Sequence, residues 1–227
     1  MSNQERKQAM RAGLLLVVPL ALAGCTFKKT DIQNEAEARK YDSATMARVR
    51  LISGQGAYAG FVSGQSCEQY FNVSYRNATV GKAPEGWNPA RTAPKGESLD
   101  AFGMPPSAYQ NNVIGMPAST VTATIDDTRR YYDEHVVPAG QPLIAFVALV
   151  TSNSSCSSAP VSFIPQAGKD YEVRQVFKSD WPRATCRNAV YELGTKYETP
   201  VSINYCFRDK SGDFRTVSGA STAPISQ

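Results

Sequence analysis

At 227 residues, with 42% hydrophobic and 19% charged residues, the chain is long enough for one sizeable domain and too apolar for wholesale disorder. The formal net charge is +4, of which two units sit in the first 24 residues (Arg6, Lys7 and Arg11 against Glu5). Beyond Lys28-Lys29 and Arg129-Arg130 the cations form no cluster, which excludes a nucleic-acid-binding class, and a single histidine, His135, narrows the scope for metal and acid–base chemistry.

Residues 1–12 are polar with net positive charge, and residues 13–24, GLLLVVPLALAG, are apolar. A helix crossing a hydrocarbon core needs about 20 apolar residues. This shorter run, with Pro19 inside it, reads as the apolar region of a signal peptide rather than a membrane span. Its end, Leu22-Ala23-Gly24-Cys25, resembles the lipobox of bacterial lipoproteins, because charge, apolar length, small residues and cysteine coincide in register. The resemblance implies a diacylglycerol on the Cys25 sulfur, cleavage between Gly24 and Cys25, and acylation of the new amine. Two or more acyl chains hold a protein stably at a bilayer where one does not. Thr26 is not the aspartate associated with inner-membrane retention, so the resemblance implies the outer membrane of a Gram-negative envelope, facing the periplasm.

Lipidation of Cys25 leaves Cys67, Cys156, Cys186 and Cys206. Four cysteines in an exported chain predict two disulfides with three connectivities. Cys186 and Cys206 lie in consecutive strand-like segments, ATCRNAVYEL and PVSINYCF, separated by Gly194-Thr195-Lys196. A hairpin there predicts Cys186–Cys206 and, by elimination, Cys67–Cys156. A zinc site would lack any C-x-x-C pair and any nearby histidine.

In the mature chain, residues 25–45 read as a lipidated N-terminus and polar, flexible tether with some helical tendency, and residues 46–215 as the folded domain. Met46 to Ile52 alternates Val49 and Leu51 with Arg48 and Arg50, which predicts a half-buried strand with outward arginines. Gly54-Gln55-Gly56 predicts a turn, AYAGFVS a second strand, and Tyr70 to Arg76, YFNVSYR, a third. Residues 77–112, with five prolines and four glycines, read as a long irregular loop pinned by Trp87, Phe102 and Tyr109. Strand signals return in NNVIGMP, STVTATI, RRYYDEHVVPAG and the apolar run Leu143 to Val150, which predicts a buried central strand. FIPQAGKDYEV reads as strand, tight turn, strand, followed by the two cysteine strands and a frayed tail over residues 216–227. The sum predicts an all-β, antiparallel sandwich, Ig-like or transthyretin-like, with a barrel as the alternative.

None of the common nucleophile, phosphate-loop or zinc-protease motifs is present in the sequence. Asp133 and His135 share a strand face but have no identifiable nucleophile beside them, so His135 reads as a surface histidine. Asp126, Asp127, Asp133 and Glu134 do not match a calcium loop, and the 11 tyrosines read chiefly as sheet packing. No metal, cofactor or catalytic residue is assigned. VPAGQPL and FIPQAGKDYEV are similar to segments of small uncharacterised proteobacterial lipoproteins, a resemblance that implies no activity. The expectation is a non-enzymatic envelope lipoprotein with a binding or structural role. It would be held to the membrane through Cys25, with an envelope protein or cell-wall component as partner. Two competing classes are a periplasmic inhibitor or immunity-type protein, using residues 77–112 as a protruding loop, and a cell-wall hydrolase with a polar concave site.

Overall fold

The computed structural model describes residues 30–54, 57–75, 86–89, 110–124, 130–150, 155–180, 183–195, 197–208, 211 and 214–220. Residues 1–24 and Cys25 lie outside that set, as do Phe102, Tyr109, Asp126 and Asp127. Two sheets face each other. The first has the order β1 (Thr30–Gln33), β5 (Gln110–Val113), β6 (Arg130–Pro138), β2 (Met46–Gly54), β10 (Asp170–Asp180), β11 (Arg183–Leu193), β12 (Glu198–Pro200). The second runs β14 (Phe214–Ala220), β13 (Ser202–Arg208), β9 (Val161–Phe163), β7 (Leu143–Val150), β3 (Ala57–Ser63), β4 (Asn88–Pro89), with β8 (Ser155–Ser157) also on β7.

The sandwich expectation holds at the level of architecture, and most pairs are antiparallel. Three are parallel: β1 with β5, β5 with β6, and β2 with β10. The strands on either side of the two predicted turns, Gly54-Gln55-Gly56 and Ala167 to Asp170, belong to different sheets, so the chain changes sheet at each. Gly168 makes the second crossing with a φ of 76°, in the left-handed region open to glycine.

Alternation along each strand builds the core. Ala47, Val49 and Leu51 of β2 meet Phe61, Leu143, Ala145, Val147 and Ile203 of the opposite sheet, with Val173 and Val190 beside them. Each of the Val, Leu, Ile and Phe side chains contributes about 1.5–3 kcal/mol by leaving water. β7 spans Leu143 to Val150, as its apolar run predicts, and is buried on both faces.

That second burial arises because a further layer covers the outside of each sheet. Over sheet two lies α2 (Cys67–Gln69), started by a Ser66/Gln69 capping box and continued as a wide helical stretch over Tyr70–Tyr75. Of the expected YFNVSYR strand, Tyr70–Tyr75 is therefore helical. Its Tyr70 and Phe71 pack with Val62, Ile144, Cys206 and Trp87. A Cβ on Gly60 would stand 2.2 Å from the Trp87 ring, so only glycine fits under it.

Over sheet one lies the irregular segment 114–124. Residues 119–124 of the predicted STVTATI strand form a turn here, because Ser119 and Thr122 satisfy each other's backbone: Ser119 N–H donates to Thr122 Oγ1 at 2.7 Å and Thr122 N–H to Ser119 Oγ at 3.0 Å. Residues 30–45, expected as a loose tether, are docked as well. Asn34 caps α1 (Glu35–Ala38) and donates its N–H to the Val113 carbonyl, while Glu37 accepts from the Val136 N–H at 2.9 Å. At the other terminus, residues 216–220 continue β14 rather than fraying.

The cysteine pairing also differs from expectation. The chain turns from β11 into β12 at Gly194, crosses to sheet two after Pro200, and forms β13 against β9 and β14. Cys186 and Cys206 thus belong to opposite sheets, where the Tyr205 hydroxyl donates across the sandwich to the Asn188 carbonyl at 3.1 Å. Cys206 points outward and is bridged to Cys67 at the start of α2, with a Cα–Cα distance of 5.3 Å. This replaces both Cys186–Cys206 and Cys67–Cys156. Cys186 is also disulfide-bonded, to a partner outside the described side chains.

Candidate functional site

The outer face of sheet one carries the densest chemistry among the described residues. Alternation that sends Val49, Leu51 and Val173 inward sends Arg48 and Arg50 of β2, Glu134 of β6, and Asp170, Glu172 and Arg174 of β10 to the other side. The parallel register of β2 with β10 sets Arg48 opposite Asp170 and Arg50 opposite Glu172. The arginines are outward with respect to the core, as expected, but they are not solvated: Arg50 and Glu172 are 2% and 0% exposed.

Arg48 grips Asp170 through two bonds of 2.6 and 2.7 Å. Arg50 Nη2 donates to Glu134 at 2.6 Å, its Nε to the same oxygen at 3.0 Å, and its Nη1 to Glu172 at 3.2 Å. Arg174 bridges Glu172 and Glu198, each at 2.8 Å. Each guanidinium also lies over a tyrosine ring: Arg48 over Tyr41 at 4.8 Å, Arg50 over Tyr132 at 5.0 Å and Arg174 over Tyr191 at 3.9 Å. Buried charge is tolerated when paired and hydrogen-bonded in this way.

The ladder fastens the covering segment by its backbone. The carboxylate of Glu134 accepts from the Ile114 N–H at 2.7 Å and the Met116 N–H at 3.2 Å. Arg50 donates to the Pro117 carbonyl at 2.8 Å, Arg48 to that of Gly115 at 3.1 Å, and Glu198 accepts from both the N–H and hydroxyl of Thr120. Burial pushes the Glu198 carboxyl up, but the Thr120 bonds and the Arg174 charge outweigh it and hold it below the usual range. Burial lowers the Arg48 guanidinium and Asp170 more than restores it, so it stays firmly charged.

Between cover and sheet runs a cleft of about 340 Å³ lined by residues including Asp31, Arg50, Met116, Thr122, Tyr132 and Glu134. Burial, reinforced by Asp31, pushes the Tyr132 phenol up to about 12, so it is a neutral donor. Asp31 accepts from Asn111 at 2.8 Å and from Tyr132 at 3.4 Å. Arg50 spends its bonds on two carboxylates and the cover, so an incoming anion would compete with Glu134 and Glu172. The cleft's charged groups thus act on the protein's own backbone.

The residues singled out in the sequence do not converge on this site. Asp133 and His135 share a face as expected, but it is the inner one. Asp133 is buried and accepts from Asn112 at 2.6 Å, while His135 is half-buried and meets the Phe61 ring edge-on at 5.2 Å. His135 is therefore a packing residue rather than a surface one. Asp133 and Glu134 point to opposite faces, and no group of three metal-type side chains is assembled among the described residues. Tyr70, Tyr171 and Tyr191 are buried, consistent with sheet and core packing. The ladder itself left a signal in Arg48/Arg50 and Asp170/Glu172, two strands whose polar positions carry complementary charge.

The fold and this face define a disulfide-bonded β-sandwich whose charged residues hold a third layer in place. Comparison with protein-family models, with curated proteins and with solved structures found no match.

Proposed function

We propose that the protein is a lipid-anchored cell-envelope lipoprotein with a non-catalytic binding or structural role, held at the outer membrane through Cys25 and facing the periplasm. The observation that carries the reading is the register of Leu22-Ala23-Gly24-Cys25 at the end of a basic, then apolar, leader. The Cys67–Cys206 bridge supports it, since structural disulfides persist in oxidising compartments. The engagement of Arg50, Glu134, Glu172 and Arg174 with one another and with backbone also supports a structural use of the most polar face. An envelope protein or cell-wall component is the partner class this reading carries.

Intact mass measurement of the detergent-extracted protein tests the anchor. The expected N-terminus is an acylated Cys25, and Cys25→Ser is expected to move the protein from the membrane to the soluble fraction. An unmodified Met1, or unchanged membrane retention of the variant, defeats the reading. For the partner, crosslinking in intact cells is expected to recover an envelope protein or cell-wall fragment.

A further inference from the structure

The docking of residues 30–45 onto sheet one leaves only residues 26–29 between Cys25 and β1. Five backbone steps at about 3.4 Å each let Thr30 stand no more than ~17 Å from the anchored cysteine. Had the whole of 26–45 been free, its 21 steps would have allowed about 70 Å. We propose that the sandwich is held against the lipid headgroups by one defined end, the end at which β1 begins. This inference rests on the lipoprotein reading of Cys25.

The register identifies that end. Thr30 pairs with Gln110, and Asn112 with Asp133, which puts Thr30 level with Tyr131, one residue from the start of β6. Arg130 at the start of β6 pairs with Gly54 at the finish of β2. β10, parallel to β2, ends on the same side, running about four residues past the level of Gly54 to Asp180 opposite Arg183. β3 begins at this end, with two residues between it and the finish of β2. β1 therefore starts at the rim of the sheet, and a short linker brings that whole rim to the bilayer. Lys28 and Lys29 in the linker add attraction to anionic headgroups within a Debye length of the surface.

The opposite end lies about 30 Å away, the length of the nine-residue β2 at ~3.3 Å per residue. It carries the turns at 139–142 and 164–169 and the finish of β11, with Ile164 59% and Tyr197 80% exposed.

The test uses the full acylated chain in phosphatidylethanolamine–phosphatidylglycerol vesicles carrying a headgroup-linked energy acceptor, with a fluorescent non-natural residue at Gln110 or at Tyr197. Energy transfer is expected to be several-fold greater from position 110. Inserting about 20 Gly/Ser residues after Lys29 is expected to bring it down towards that of position 197. Equal transfer from the two positions, or transfer at 110 that the insertion leaves unchanged, overturns the orientation while leaving the anchor intact. Mass analysis of the same preparation separates the two readings, because an unacylated Cys25 defeats both.

Discussion

Each sheet of the sandwich wears a cover, and the two covers differ in what is added to apolar contact to fasten them. Over sheet two the 67–75 helical stretch is held by apolar contact with Val62 and Ile144, by Trp87 seated on Gly60, and by the Cys67–Cys206 bridge. Over sheet one the 114–124 segment also packs Ile114, Met116 and Val121 on Leu193, Val136, Ile52 and Tyr132, but its irregular backbone is held by arginine and carboxylate side chains bonded to it. An irregular segment has unpaired N–H and C=O groups that must find partners when covered. A charged ladder supplies them, whereas an apolar face would leave them unsatisfied. A helical cover satisfies its own backbone, so it needs only grease and a staple.

The contrast is open to direct attack. Glu172→Gln leaves Arg50 and Arg174 buried beside a neutral group, and removing one member of a buried ion network costs about 3–5 kcal/mol. Urea denaturation is expected to show that loss, and a loss no larger than that of Val173→Ala, its neighbour on the core face, would show that the ladder is dispensable. Replacing Cys67 and Cys206 together by alanine removes a bridge between residues 139 positions apart and is expected to cost about 2–5 kcal/mol. Amide exchange in that variant is expected to rise over 67–75 while 114–120 keeps its protection. Uniform loss of protection would mean that the covers are not independent.

Gly60→Ala drives a methyl into Trp87 and the Asn88 carbonyl, for an expected cost of about 1–3 kcal/mol and a red-shifted, solvent-exposed tryptophan emission. The smallest effect concerns acid. The Glu198 carboxyl is held below its ordinary value of 4.5, so its contribution is complete above that pH and is lost as pH falls through the lower folded value. Protection factors at Ile114 to Thr120 are expected to drop below about pH 4.5, with those of 67–75 unchanged. Glu198→Gln, at a neutral-pH cost of about 1 kcal/mol, is expected to flatten that dependence.

The core was the legible part of the sequence. Period-two alternation in β2 and the apolar run of β7 assign inward and outward positions, and the sandwich follows from their number. What alternation cannot report is what lies beyond the outward face: it marks Arg48 and Arg50 as outward but not that residues 114–117 cover them. The same blindness assigned YFNVSYR to a strand. The Ser66/Gln69 capping box just before it was a readable helix start, and it outweighed the alternation of Phe71 and Val73. The parallel pairing of β2 with β10 joins residues 122 positions apart, such as Arg48 and Asp170, and no local pattern announces it. Cysteines near in sequence were paired on the assumption of a hairpin, and Pro200 and Val201 instead lead β13 into the other sheet. Polarity made residues 30–45 look like a tether, although Asn34, Glu37 and Tyr41 each have a specific contact on the body.

The Cys67–Cys206 bridge also imposes an order of events. A chain that emerges N-terminus first, from a ribosome or through a membrane pore, displays Cys67, then Cys156, then Cys186, and Cys206 last. The native partner of the first of these is thus the final one to appear, after two wrong candidates have already passed it. Oxidation that keeps pace with emergence would trap Cys67 with a nearer thiol, so correct maturation calls either for oxidation that waits until β13 has arrived or for a catalyst that reshuffles bridges afterwards.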